Sequence, residues 1–228
     1  MKDNSIWYLE NLDVGKILCP GKFGEHQKTD HLKLVKKGDY VYLPEDKSDL
    51  IYFLVEGRIK IGSSSDDGKE IIKAILSPGE VFGELSLVGE TKRRDYAIAV
   101  EEAKLCTIES NSLNTLIKDH GSLSMFFMKM MGSKVLEMEN RLESLVFKDS
   151  RSRIVEFIQE LVKKRGQRVG YEWVVRNFIT HQEIANLTAT SRQTVTTVLN
   201  ELRSADILTF NRKRLLVRDL EKLTAEIK

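Results

Sequence analysis

Thr180 and Glu183, three residues apart and just ahead of Ile184 and Leu187, constrain this chain more than any other short stretch. A Thr hydroxyl and a Glu side chain at that spacing can each accept an amide at a helix start, so the pair predicts a helix beginning near His181. Ile184 and Leu187 give that helix an inward stripe. Thr190 or Ser191 can cap a second helix, on which Val195, Val198, Leu199 and Leu202 recur at helical spacing. Its outward face carries Arg192, Gln193, Thr196, Thr197 and Asn200. Arg and Gln are suited to paired hydrogen bonds with guanine and adenine edges in a major groove. The plainer alternative is a helical pair packed on a core, with a solvated polar face.

Charge favours the first reading. From Lys148 to Lys228 there are 16 Lys and Arg against 10 Asp and Glu; the first 147 residues hold 20 against 24. A near-neutral total of +2 therefore hides a basic C-terminal third, which suits phosphate.

Residues 32 to 109 read as strands. Tyr40-Val41-Tyr42-Leu43, Ile51-Tyr52-Phe53-Leu54-Val55, Ile59-Lys60-Ile61 and Ile71-Ile72-Lys73-Ala74-Ile75-Leu76 are short and rich in β-branched and aromatic residues. Gly38-Asp39, Glu56-Gly57, Asp67-Gly68 and Pro78-Gly79 punctuate them as turns. Short strands with regularly placed glycine turns predict an all-β roll or barrel.

From about Leu113 to Val146 the period becomes helical. Met128, Met131, Val135, Met138, Leu142 and Leu145 follow a 3-4 spacing, the seam of two paired helices. Leu123, Phe126, Phe127 and Met130 form a second apolar surface, expected against the roll. The seam is read as a parallel dimer interface; packing within one subunit is the alternative.

The rest bounds the class. A chain of 228 residues with 41% hydrophobic content suits one large domain or two modest ones. The first ten residues hold no apolar signal core, and no apolar run approaches the roughly 20 residues of a membrane helix. A soluble, cytoplasmic protein without a membrane partner is expected. Cys19 and Cys106 are far apart without metal spacing, so reduced thiols are expected, a redox pair being the alternative.

The residues also resemble a known family, the cyclic-AMP receptor protein and fumarate–nitrate reductase regulator (Crp/Fnr) family of bacterial transcription regulators. The resemblance covers nearly the whole chain. It rests on Lys37-Gly38-Asp39, Phe53-Leu54-Val55-Glu56-Gly57, Pro78-Gly79-Glu80-Val81-Phe82-Gly83-Glu84-Leu85-Ser86-Leu87, the helix-turn-helix, and the hinge-like join Ser144-Leu145-Val146-Phe147-Lys148-Asp149. It implies an α+β fold in three parts. A cyclic-nucleotide-binding-like β-roll (double-stranded β-helix, or jelly roll) spans 1–112. A dimerisation helix and hinge span 113–147, and a winged helix-turn-helix spans 148–228. Leu208 to Val217 would be the wing, with Asn211-Arg212-Lys213-Arg214 at its tip.

On that resemblance, DNA would be met by Thr180, Ser191, Arg192, Gln193, Thr194, Thr196 and Thr197, with Arg212 and Lys213 of the wing on phosphate. Gln193 could instead complete a capping box with Thr190. The effector pocket would be lined by Phe82, Gly83, Glu84, Leu85, Ser86, Arg93 and Arg94. In cyclic-AMP binders the counterpart of Glu84 holds the ribose, and an Arg followed by a small residue holds the phosphate. Here Arg94 replaces the small residue, Asp95 follows, and Met138 and Glu139 stand where hydroxyls read adenine. Cyclic AMP is therefore not the expected ligand. A small anionic effector, or a structural ion pair between Glu84 and Arg93, remains.

Other chemistry finds little support. An iron–sulfur centre needs about four thiolates. A cupin-type metal enzyme needs clustered His, and His26, His31, His120 and His181 are scattered. No metal, cofactor or enzyme activity is expected. The reading is a homodimeric regulator of a palindromic DNA operator, with RNA polymerase as a further partner. An effector-independent regulator, or a nucleotide-binding module acting through protein partners, are the alternatives.

Overall fold

The computed structural model describes residues 8–9, 12–13, 32–65, 68, 70–211 and 213–227. The chain divides into two compact units, Met1–Val135 and Leu136–Lys228.

The first unit opens with a short antiparallel pair, β1 (Tyr8–Leu9) and β2 (Leu12–Asp13). Eight further strands follow: β3 (Leu32–Val35), β4 (Tyr40–Tyr42), β5 (Leu50–Glu56), β6 (Ile59–Ser64), β7 (Glu70–Leu76), β8 (Val81–Phe82), β9 (Tyr96–Ala99) and β10 (Ala103–Glu109). They form two antiparallel sheets, ordered β3-β10-β5-β8 and β4-β9-β6-β7. The strand-like stretches of the sequence are thus a jelly roll.

Strand β5 shows how the roll is anchored. Side chains on a strand alternate between faces. Tyr52 and Leu54 point into the roll, among Val41, Ile59, Ile61 and Leu105 from both sheets. Ile51, Phe53 and Val55 point the other way, into a second cluster with Leu113, Leu123, Phe126, Phe127 and Met130. Those last five come from α1 (Ser110–Asp119) and α2 (Gly121–Phe147). The apolar surface expected against the roll is buried there. Gly57, at φ +85, turns β5 into β6; a Cβ there would stand 2.3 Å from the Glu102 carbonyl oxygen, so only glycine fits.

The helical stretch is two helices, a correction to the single run read from Leu113 to Val146. His120 is extended (φ −126, ψ 95) and ends α1, and α2 resumes at Gly121. The boundary between the two compact units falls inside α2.

The second unit holds the last turns of α2 and a winged helix. Helix α3 (Ser150–Arg165) is capped by Asp149, whose carboxylate accepts from the Ser152 amide at 2.7 Å. Strands β11 (Gln167–Val169) and β12 (Glu172–Arg176) lead to α4 (His181–Thr188) and α5 (Arg192–Ser204). Strands β13 (Leu208–Phe210) and β14 (Arg214–Val217) form the wing, and α6 (Leu220–Ala225) closes the unit. The sheet runs β11-β12-β14-β13. Ile154, Ile158, Ile184, Val195, Leu199 and Leu215 are buried at its core.

The expectation of reduced thiols fails. Cys106 is buried on β10 and disulfide-bonded. The sequence holds one other cysteine, Cys19, which lies outside the described residues. Distance along the chain was a poor guide, because a bridge depends on where two Cβ atoms meet in space.

Candidate functional site

Helix α4 starts where the spacing placed it. The Thr180 hydroxyl accepts from the Glu183 amide at 3.2 Å, and the Glu183 carboxylate accepts from the Thr180 amide at 2.8 Å. Between the helices, Ala189 takes the left-handed conformation (φ 50, ψ 49), which closes the turn. Ser191, not Thr190, caps α5: its hydroxyl accepts from the Thr194 amide at 3.0 Å, and the Ser191 and Thr194 hydroxyls bond to each other. Gln193 is therefore not part of a capping box. It sits exposed in the first turn of α5 beside Arg192, with Thr197 one turn on. Val195, Val198, Leu199 and Leu202 are buried on the opposite side.

Thr196 is less available than its neighbours. Its hydroxyl donates to the Arg192 carbonyl at 2.9 Å and lies 2.9 Å from His181 Nδ1. With the hydroxyl hydrogen on the carbonyl, the ring nitrogen must donate, which places the imidazole proton on Nδ1. His181 also meets the Phe210 ring edge-on, 5.4 Å between centroids. Burial and then the nearby Arg192 charge hold its pKa below the ordinary value.

The wing tip is built by Asn211, whose side-chain oxygen accepts from the Lys213 and Arg214 amides at 2.8 and 2.9 Å. Lys213 is exposed. Arg212 lies outside the described residues.

The expected effector pocket is organised differently from the expectation. Phe82 ends β8, and Gly83, at φ +79, leads into a 3₁₀ turn over Glu84–Val88. A Cβ on Gly83 would stand 2.8 Å from Arg93 Nη1, so the glycine admits the guanidinium. Arg93 is buried; Nη1 donates to the Gly83 carbonyl at 3.1 Å and Nη2 to the Leu50 carbonyl at 2.5 Å. Its guanidinium lies 4.5 Å from the Tyr42 ring centre and 5.6 Å from that of Tyr52. Among the described residues its buried Nε has no hydrogen-bond partner.

Glu84 pairs with Lys134, not with Arg93. The Lys134 ammonium, from α2, stands 2.5 Å from Glu84 Oε1 and 3.4 Å from the Val81 carbonyl oxygen. Asp95 spares Arg93 as well: it pairs with Lys73 at 3.1 Å. Burial, reinforced by Asp95, pushes the Tyr42 phenol well above its ordinary pKa. Arg94 is exposed and pairs with Glu90 at 2.5 Å, and Leu85 is exposed, so neither lines the buried part. The Ser86 hydroxyl donates to the Gly83 carbonyl at 3.1 Å. Lys134, Tyr42 and Tyr52 were not anticipated. Nothing in the local pattern marks them, since each comes to Glu84 or Arg93 through tertiary structure.

The seam residues are mostly in solvent. Met128, Val135, Met138, Leu142 and Leu145 are exposed, Met138 at 71% and Leu142 at 63%, and Met131 is half-buried against the cluster below it.

Residues 32–120 match the family described as cyclic nucleotide-binding domain, and residues 152–226 the Crp-like helix-turn-helix domain. The global nitrogen regulator of Synechocystis sp. is 30% identical over 179 residues, covering 78% of this chain and 80% of that one. A CRP-like cAMP-activated global transcriptional regulator of Mycobacterium tuberculosis is 27% identical, covering 82% and 84%. A CooA variant from Carboxydothermus hydrogenoformans superposes with a TM-score of 0.78 over 98% of this chain and all of that one, at 23% identity, a likeness of fold.

Proposed function

Because the chain belongs to the Crp/Fnr family of bacterial transcription regulators, we propose that it works as a homodimer paired along α2, reading a palindromic operator with two copies of α5. An effector-binding domain and a helix-turn-helix DNA-binding domain are the parts common to this family. We take 1–112 as the sensor, 113–147 as the dimerisation helix and hinge, and 148–228 as the DNA-binding domain.

One observation carries the DNA reading. Ser191 and Thr194 take up the capping of α5, which leaves the exposed Arg192 and Gln193 to face a groove. Arg192 would bond guanine O6 and N7, and Gln193 adenine N6 and N7. Thr197 would meet phosphate or a thymine methyl. Thr180, Ser191, Thr194 and Lys213, with Arg212, would contact the backbone. Thr196, its hydroxyl already engaged, would contribute a methyl group. Binding selection from random DNA tests this: a palindrome with a guanine and an adenine facing these residues is expected, and recovery of unenriched sequence would overturn it.

Pairing is supported by the exposed stripe, since a row of large apolar side chains in water is an association surface. RNA polymerase is proposed as the further partner, and no catalytic role is proposed.

A second reading, an effector other than cyclic AMP or none at all, is favoured by Lys134. The carboxylate that would meet a ribose is held by the chain's own ammonium. Arg93 is held by two carbonyls, with one N–H unanswered among the described residues. A small anion beside Arg93 would answer it; a nucleotide would also have to break the Lys134 pair.

A further inference from the structure

Helix α4 ends with carbonyl groups that no further turn satisfies. The Ala189 and Thr190 amides both turn back to the Ala185 carbonyl. The carbonyls of Leu187, Thr188 and Ala189 are met by two arginines. Arg153, from α3, donates Nε to Thr188 at 3.0 Å and Nη2 to Ala189 at 3.2 Å. Its Nη1 donates to the Lys148 carbonyl at 2.8 Å, just past the end of α2. Arg141, from α2, donates Nη2 to the Leu187 carbonyl at 2.9 Å. Guanidinium at a helix C-terminus is favourable twice over, through the hydrogen bonds and through the partial negative charge there.

We propose that Arg141 is a positioning residue for operator reading: it fixes the angle of the helix-turn-helix against the last turns of α2. The proposal rests on the DNA-binding reading above.

Besides the Arg153 bond to the Lys148 carbonyl, three links run between the same stretch of α2, with the residue after it, and α3. Glu137 pairs with Lys164 at 3.1 Å, the Ser144 hydroxyl donates to Glu156 at 2.8 Å, and Lys148 pairs with Glu156. All three reach α3, not the reading helices. The Glu137 pair is exposed on both sides, where such pairs contribute little. Arg141 alone among these four reaches α4, and it is half-buried. Burial lowers its pKa from the ordinary arginine value, with Glu137 opposing the shift, so the head group has given up water to make this contact.

The mechanical consequence follows from packing. Val195 and Leu199 of α5 are buried with Ile184 of α4, so the two helices turn together. If α2 is the paired helix, a hydrogen bond from α2 to α4 sets where each α5 points relative to the dimer axis. Two recognition helices must meet successive major grooves about 34 Å apart. Loosening each one lowers the effective concentration of the second at its half-site, without touching a base contact.

The test uses the full-length protein, the palindrome that it selects, and a duplex carrying one half-site. Arg141→Met keeps the apolar stem and removes the donors; Arg141→Lys keeps one donor and the charge. Loss of a charge-assisted hydrogen bond predicts about tenfold weaker binding of the palindrome by Arg141→Met. Half-site affinity and the salt dependence should be unchanged, and Arg141→Lys should recover most of the loss. Equal weakening on both duplexes would overturn the proposal, as would no weakening on either. A salt slope lower by about 1 would make Arg141 a phosphate contact instead and also overturn it. If wild-type protein selects no sequence, the DNA reading itself fails, which is a different result from an unaffected variant. Should Arg141→Met melt early, Arg141→Gln at a temperature where it is folded decides: a weakened palindrome with unchanged half-site affinity supports the proposal, and wild-type affinity for both duplexes overturns it.

Discussion

Lys134 Nζ stands 2.5 Å from Glu84 Oε1, with the ammonium on α2 and the carboxylate, 10% exposed, at the start of the 3₁₀ turn. A ligand that needs this carboxylate must first displace a charged partner, so the pair sets a threshold for sugar-bearing effectors.

Cyclic AMP should accordingly leave the protein unaffected. Titration calorimetry at millimolar nucleotide is expected to give no heat beyond dilution. A dissociation constant in the low micromolar range would mean that the Lys134 pair opens readily and that Glu84 and Arg93 serve as ligand contacts.

Leu142→Glu should abolish pairing. Two carboxylates would be buried against each other across the seam, costing several kcal/mol. Sedimentation should show monomers or aggregates, and a normal dimer would remove Leu142 from the interface.

Arg192→Ala should relax preference for one guanine in each half-site, at roughly 1–3 kcal/mol. Lys213→Ala should instead weaken all sequences alike and lower the salt slope by about 1. The same motif selected at unchanged affinity by Arg192→Ala would rule out this face of α5 as the reader.

Folding stability should carry a His181 signature. Its folded pKa lies below its ordinary value of 6.5, so the unfolded chain binds the proton more tightly. Above that pH both states hold a neutral ring and His181 adds no dependence. As pH falls through 6.5 the unfolded state gains a proton first and stability declines, levelling once the folded ring is protonated. Melting temperatures from pH 8 to pH 5 should fall less steeply in His181→Gln. Parallel curves would show that the ring titrates alike in both states.

Features set by neighbours along the chain were legible in the sequence. The Thr180–Glu183 box and the α5 core stripe depend on three- and four-residue spacing, and so does the burial of Leu123, Phe126, Phe127 and Met130; spacing alone leaves the cap of α5 open between Thr190 and Ser191. The alternating strands of the roll were legible for the same reason. The pocket was not. Asp95 follows Arg93 by two residues, yet it pairs with Lys73, 22 residues away in the chain. Lys134 is 50 residues from Glu84, and Arg141 is 46 from Leu187. The break at His120 had a local clue in Gly121, overridden in the reading by the apolar periodicity on either side.

The row of bare methionine and leucine side chains on α2 has a bearing on abundance. If a second copy covers that row, as proposed, an isolated chain keeps it wet, and mass action ties the folded fraction to total protein. A cell making few copies would hold a population that melts earlier and is degraded sooner. Above a threshold of expression each new chain would protect those already made, so protein lifetime and gene dosage would rise together.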